Sequence, residues 1–365
     1  MSKSLFLAII GFFCAFNGAA ADIDSLLRAD LVAIVGDRDI GVAVITDRGD
    51  TIGVNADRPY AMMSVVKFHQ AVAIAHKLGY VGLGTRRCRI DSTDLRRDTW
   101  SPMAEKFPGL MSADATMLLR YSLNYSDNNA ADILFRTIAS PSETDSILRA
   151  VTPARNFAIS RTEAQQNAVP ACADDNHSTA ADAATLAHWF FSADTCDAAV
   201  IVRGIMAGGS ATGAARLPAG LPPGMGMFHK TGSGWATDSA VTAVNDVGFV
   251  VYPRPDGSTG YYSIAVFVRD FHGNVAEAEA VIADIGRVTW VRLGSDVPVT
   301  LADLGRRAQP VAVRQNQRRP AGSDGGINVG AALAGALLLG GIDSILTGAP
   351  YAESVANSFG ALLSE

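Results

Sequence analysis

SVVKFHQAVA, residues 64–73, opens an apolar run at helical spacing over 65–78, which predicts a buried helix. Ser64 and Lys67 stand three apart there, so they share one face, with the Lys amine in reach of the Ser hydroxyl. Outward from this helix the texture changes. Upstream, residues 40–46 alternate apolar and small side chains and predict a strand. Downstream, 117–138 is helical in pattern but interrupted by the polar run 124–129, and 180–191 predicts a further helix. Residues 227–231, 247–252 and 261–269 predict strands, the latter two joined by the Pro/Gly-rich turn 253–260, and 276–293 closes with a helix. Strands at both ends and helices between them predict an α+β fold. Its terminal strands meet in one sheet, and a helical lobe is inserted between them.

The full chain has 365 residues, a formal net charge of −6, 48% hydrophobic and 18% charged residues. That is not the balance of a disordered chain, and it excludes the basic surface that nucleic acid requires. Residues 1–21 carry Lys3, an apolar stretch too short to span a bilayer, and Ala19, Ala20 and Ala21 before a cleavage point. They predict a secretory signal peptide and a periplasmic location. Residues 306–328, rich in Arg, Gln, Pro and Gly, read as a linker. Residues 329–365 form an Ala/Gly/Leu-rich tail of unassigned role. Its uncharged run is shorter than the roughly 20 residues of a membrane-spanning helix, which favours a poorly ordered or weakly docked helix over a membrane- or partner-binding segment. The remainder, 22–305, holds 24 basic and 32 acidic residues, a net of −8. Beyond the head, Cys88, Cys172 and Cys196 allow at most one bridge, between members that spacing does not specify. No Cys/His group has zinc spacing, so no metal site is expected.

Three motifs carry chemistry. A serine is a poor nucleophile until a base takes its proton; Lys67 is placed to help, and Ser64 at a helix head would lie where backbone N–H groups favour an oxyanion. Alone, the pair is also an ordinary surface Ser–Lys. Ser126-Asp127-Asn128 offers a second hydroxyl to pass a proton to a leaving nitrogen and an amide to hold a carbonyl, yet these residue types are equally helix N-caps. Lys230-Thr231-Gly232-Ser233 offers a cation and hydroxyls to a carboxylate. There Gly232 would let a substrate backbone approach, and the Ser233 N–H would be a second oxyanion donor.

In this order and at this spacing the three motifs resemble the signature of penicillin-recognising serine enzymes. RTEAQQN at 161–167 resembles the loop of class A β-lactamases in which a Glu positions the hydrolytic water. That role falls on Glu163, with Asn167 helping to hold the water and Arg161 pairing with Asp175 to close the loop. Such a base is what releases a stable acyl-enzyme ester. SVVKFHQAVA, DTWSP (98–102), RTEA and NDVG (245–248) are similar to the divergent extended-spectrum group of Bacteroidota and other Gram-negative bacteria. The resemblance spans roughly 25–295. It implies the serine β-lactamase/DD-peptidase fold, a five-stranded antiparallel sheet flanked by helices plus an all-helical lobe. It also implies a monomeric hydrolase that destroys β-lactam antibiotics without a cofactor. The catalytic set it implies is Ser64, Lys67, Ser126, Glu163 and Lys230. The substrate-binding set is Asn128, Asn167, Thr231, Gly232 and Ser233, with Trp100 as the aromatic at the mouth and Arg216 behind the substrate carboxylate, unless Arg216 is simply a solvated surface residue. Gln166 in place of the usual Leu, the stretch 237–244 and the tail depart from the pattern. A D-Ala-D-Ala carboxypeptidase or a non-catalytic penicillin sensor shares the three motifs, but neither needs Glu163.

Overall fold

A computed structural model describes residues 22–222, 225, 227–294 and, farther on, 339, 342, 343, 345–347, 354, 357 and 358. The expected signal peptide, the linker and most of the tail lie outside the described residues. Five strands form the main sheet: β1 (Ile40–Thr46), β2 (Thr51–Val54), β3 (Met227–Ser233), β4 (Ala240–Pro253) and β5 (Thr259–His272). Their order across the sheet is β2-β1-β5-β4-β3, antiparallel throughout. The first strand thus pairs with the last, from Ile40 opposite Val268 to Thr46 opposite Tyr262, and the helical lobe is inserted between β2 and β3, as the sequence order predicts.

Nine helices matter to the argument: α1 (Ile23–Val35), α2 (Val66–Thr85), α3 (Ala115–Asn124), α4 (Asn128–Thr137), α5 (Pro141–Val151), α6 (Glu163–Ala168), α7 (Ala180–Ser192), α8 (Ala199–Ala207) and α9 (Val275–Leu293). Both faces of the sheet are covered, which explains the nearly unbroken apolar run of β1. Val42 and Val44 join Leu27, Leu31, Ile282 and Ile285 of α1 and α9 in one core. Ala43 and Ile45 face the other core, which the lobe builds around Phe68, Leu119, Phe190 and Phe191. Asp22 caps α1, and Asn274 with Glu277 forms a capping box on α9.

The strands predicted at 247–252 and 261–269 are each longer at both ends. The polar residues Asn245 and Asp246 break the apolar pattern, but both are buried within β4. Helices α1, α5, α6 and α8 have no predicted counterpart. In α1 the buried face is a single row, Leu27, Leu31 and Val35, with charges on either side. Cys88, Cys172 and Cys196 are all free thiols. Among the described residues no helix is long and apolar enough to cross a membrane.

Candidate active site

The sheet, α2 and the α3–α4 turn converge where β3 faces the lobe. Ser64 sits in a 3-10 turn, Met63–Val65, that runs directly into α2. Met63 has φ +48, a left-handed conformation that a non-glycine residue adopts only when its surroundings enforce it. Asn245 supplies that enforcement: its buried amide donates to the carbonyls of Ala61 (2.8 Å) and Met62 (3.2 Å). Gly232 lets the same turn come close, because a Cβ there would stand 2.5 Å from the Met62 carbonyl oxygen. The absence of a side chain at Gly232 is thus what the nucleophile turn requires.

Lys67 is fully buried, and its ammonium donates to Ser64 Oγ (2.9 Å), the Ser126 carbonyl (2.8 Å) and Asn128 Oδ1 (2.6 Å). Glu163 Oε1 lies 3.3 Å from Lys67 Nζ, close but not aligned, so that oxygen is buried without a hydrogen-bond partner among the described residues. Ser126 adopts φ +56 between α3 and α4, and its hydroxyl accepts from Lys230 Nζ at 2.9 Å. Burial, and next the charge of Lys67, push the Lys230 amine well below its ordinary range.

Asp127 bears out the capping reading of Ser126-Asp127-Asn128. It caps α4 by accepting from the Ala130 N–H, and it accepts from the Ser101 hydroxyl and the Met103 N–H. The central residue thus anchors the turn, while its two neighbours face the cleft. Trp100 lies at the mouth, 57% exposed, with its indole N–H on the Tyr125 carbonyl.

On β3, the Thr231 hydroxyl pairs with that of Thr212 at 2.8 Å, and the Ser233 hydroxyl accepts from Arg216 at 2.6 Å. Arg216 is not a solvated surface residue. It is 4% exposed, paired with Glu279 at 3.1 Å, and donates to the carbonyls of Gly232 and Asn245.

The loop bearing Glu163 is held from several sides. Arg161 pairs with Asp175 at 2.8 Å. Gln166, the departure noted in sequence, is buried and donates across the loop to the Ala173 carbonyl at 3.0 Å. Asn167, one turn after Glu163 on α6, turns its amide onto the Thr99 hydroxyl at 3.1 Å. Two contributors escaped the sequence reading. Asn176, fully buried, accepts from the N–H groups of Ser160 and Arg161 and donates to the Arg161 carbonyl. Asp132 on α4 accepts from the N–H groups of Glu163 (2.8 Å) and Ala164 (2.9 Å). Burial, and next the Glu163 charge, push the Asp132 carboxyl up to about 7. Neither residue stands in a motif, so only the fold identifies them.

Such a site can activate a serine, pass its proton onward and place a carboxylate beside the resulting ester. The profile described as the beta-lactamase enzyme family matches residues 26–293. A beta-lactamase of Phocaeicola vulgatus is 34% identical over 259 residues, 69% of this chain and 79% of its own length. The Pseudomonas aeruginosa beta-lactamase VEB-1 is 28% identical over 298 residues, 79% of this chain and 97% of its own. The solved structure of a class A beta-lactamase representative from Bacteroides cellulosilyticus aligns with a TM-score of 0.67 at 26% identity, over 75% of this chain and 99% of that one.

Proposed function

The chain belongs to the beta-lactamase enzyme family, and from that premise we propose that it hydrolyses the β-lactam ring of penicillins and cephalosporins through an acyl-enzyme on Ser64. The observation that carries the reading is the convergence on Lys67 of Ser64, Ser126, Asn128 and Glu163. Ser64 Oγ attacks the lactam carbonyl as its proton leaves to Glu163 through a water, or to Lys67 once the Lys67 ammonium has given a proton to the adjacent Glu163 carboxylate. The oxyanion is met by the N–H groups of Ser64 and Ser233. The C–N bond breaks, and Ser126, hydrogen-bonded to Lys230, delivers a proton to the lactam nitrogen. Because the Lys230 amine is pushed down by burial, it holds its proton weakly and can exchange it with Ser126. Thr231 and Ser233, the latter oriented by Arg216, receive the substrate carboxylate. Asn128 holds the side-chain carbonyl, and Trp100 stacks at the mouth.

Glu163 and Asn167 then place a water on the ester. Glu163 Oε1, 3.3 Å from Lys67 Nζ but without an aligned hydrogen bond, supports that role, since a buried acceptor calls for a donor. The rival peptidase and sensor readings have no use for this loop carboxylate. We place the enzyme in the periplasm as a monomer, exported by residues 1–21, with 22–305 as its catalytic unit.

Ser64→Ala should abolish hydrolysis of a chromogenic cephalosporin, and retained turnover would sink the mechanism. Glu163→Gln should still acylate and then stall, visible as a persistent mass increase. Normal turnover in that variant would remove Glu163 from deacylation.

A further inference from the structure

Thr99 stands where the two catalytic amides meet. Its hydroxyl oxygen accepts from Asn128 Nδ2 at 2.7 Å and from Asn167 Nδ2 at 3.1 Å. A hydroxyl oxygen has two lone pairs, so both acceptor positions are taken. Asn128 cannot turn its amide the other way, because Oδ1 faces the Lys67 ammonium at 2.6 Å and an ammonium only donates. One N–H of Asn128 is then fixed on Thr99, and the second remains for a substrate carbonyl. The same hydroxyl holds the amide nitrogen of Asn167, which frees Oδ1 to accept from a water beside Glu163.

Thr99 itself is held firmly. The Asn128 N–H donates to the Trp100 carbonyl at 3.0 Å, Asn129 Nδ2 to the Arg96 carbonyl at 2.8 Å, and Ser101 Oγ to Asp127. The segment that bears Thr99 is therefore tied on both sides to the first turn of α4.

We propose that Thr99 is a positioning residue that sets the amide orientation of Asn128 and Asn167 together, and so links substrate placement in acylation to water placement in deacylation. This rests on the acyl-enzyme reading of Ser64, Glu163 and Asn167. Thr99→Val keeps the shape and removes the acceptor. It should lower kcat about tenfold, the scale of one or two hydrogen bonds, with a covalent adduct dominating the steady-state mass spectrum. Thr99→Ser should restore both. In an Asn167→Ala background the further loss in deacylation on Thr99→Val should disappear, as expected for residues acting through one contact.

A Thr99→Val enzyme with parental kcat and no added adduct, beside an active parent, overturns the inference alone. So does a Thr99→Ser enzyme as impaired as Thr99→Val. Absence of hydrolysis by the unaltered chain overturns the acyl-enzyme reading and this inference with it. Should Thr99→Val not fold, Thr99→Ala against Thr99→Ser gives the same contrast in kcat and adduct.

Discussion

At the scale of single residues, charge burial decides most of what the site does. Lys67 and Lys230 are both fully buried, and each leans on the same serine, Ser126. Asp132 is the opposite case, a partly buried carboxyl with no salt bridge among the described residues, placed beside another carboxyl group. Its carboxyl is pushed up to about 7 by burial and then by Glu163, with Lys67 opposing. An unfolded aspartate titrates near 3.9, so the fold retains a proton that the unfolded chain has already released. The stability this group contributes is therefore complete below about pH 4 and is lost as pH rises to about 7. Asp132→Asn should remove that slope. Measured by urea unfolding between about pH 4.5 and 7.5, the variant should gain on the parent steadily with pH, whatever its offset. Parallel profiles would mean that Asp132 stays ionised in the fold.

At the scale of elements, the loop around α6 shows why a visible motif can mislead about what holds a segment. Arg161 and Asp175 can be paired on paper, and they do pair. Both side chains are about 40% exposed, 42% and 40%, and such a pair contributes about 0–1 kcal/mol. Asn176, next in sequence, satisfies three backbone groups at 2.9–3.0 Å. These bonds are part-buried, and each one lost costs roughly 0.5–1.5 kcal/mol. Asn176→Ala should therefore cost about 3 kcal/mol of unfolding free energy, and Arg161→Ala under about 1. Denaturant titration of both variants settles the order, and a larger loss in Arg161→Ala would show that the ion pair is the true clasp. The strand at 40–46 was legible because both its faces are buried, and α2 because its apolar face is wide. The extension of β4 through 240–246 was not, since Asn245 and Asp246 look like a loop until their partners, Met62 on one side and His229 and Leu217 on the other, are in place. The motifs at 64–67, 126–128 and 230–232 were legible because their order and spacing along the chain are a signature that no one of them carries alone. Thr99, Asp132 and Asn176 act through contacts that only the packed helices create.

At the scale of the whole molecule, the sheet closes by pairing its first strand with its last, so the chain leaves the catalytic unit through α9, on the face of the sheet opposite the lobe. The tail nevertheless returns to the lobe. Ile342 is 4% exposed within the lobe core, and Leu339 and Ile345 pack against that core. These positions recur every three residues, on one side of a helix, and the Thr347 hydroxyl bonds the Asp343 carbonyl one turn back. Residues 295–338 join α9 to these positions along the chain. A tether of that length favours docking within one chain over docking on a neighbour until protein concentrations approach the millimolar range. Full burial of an isoleucine contributes about 1.5–3 kcal/mol. Ile342→Asp in the full chain should lower Tm by several degrees, about 2–8 °C, with the same shift at tenfold lower protein concentration and kcat at 25 °C unchanged. A shift that shrinks on dilution would place the tail on a second copy. No shift at all would mean that the lobe core is complete without Ile342, leaving the tail's apolar run free for another partner.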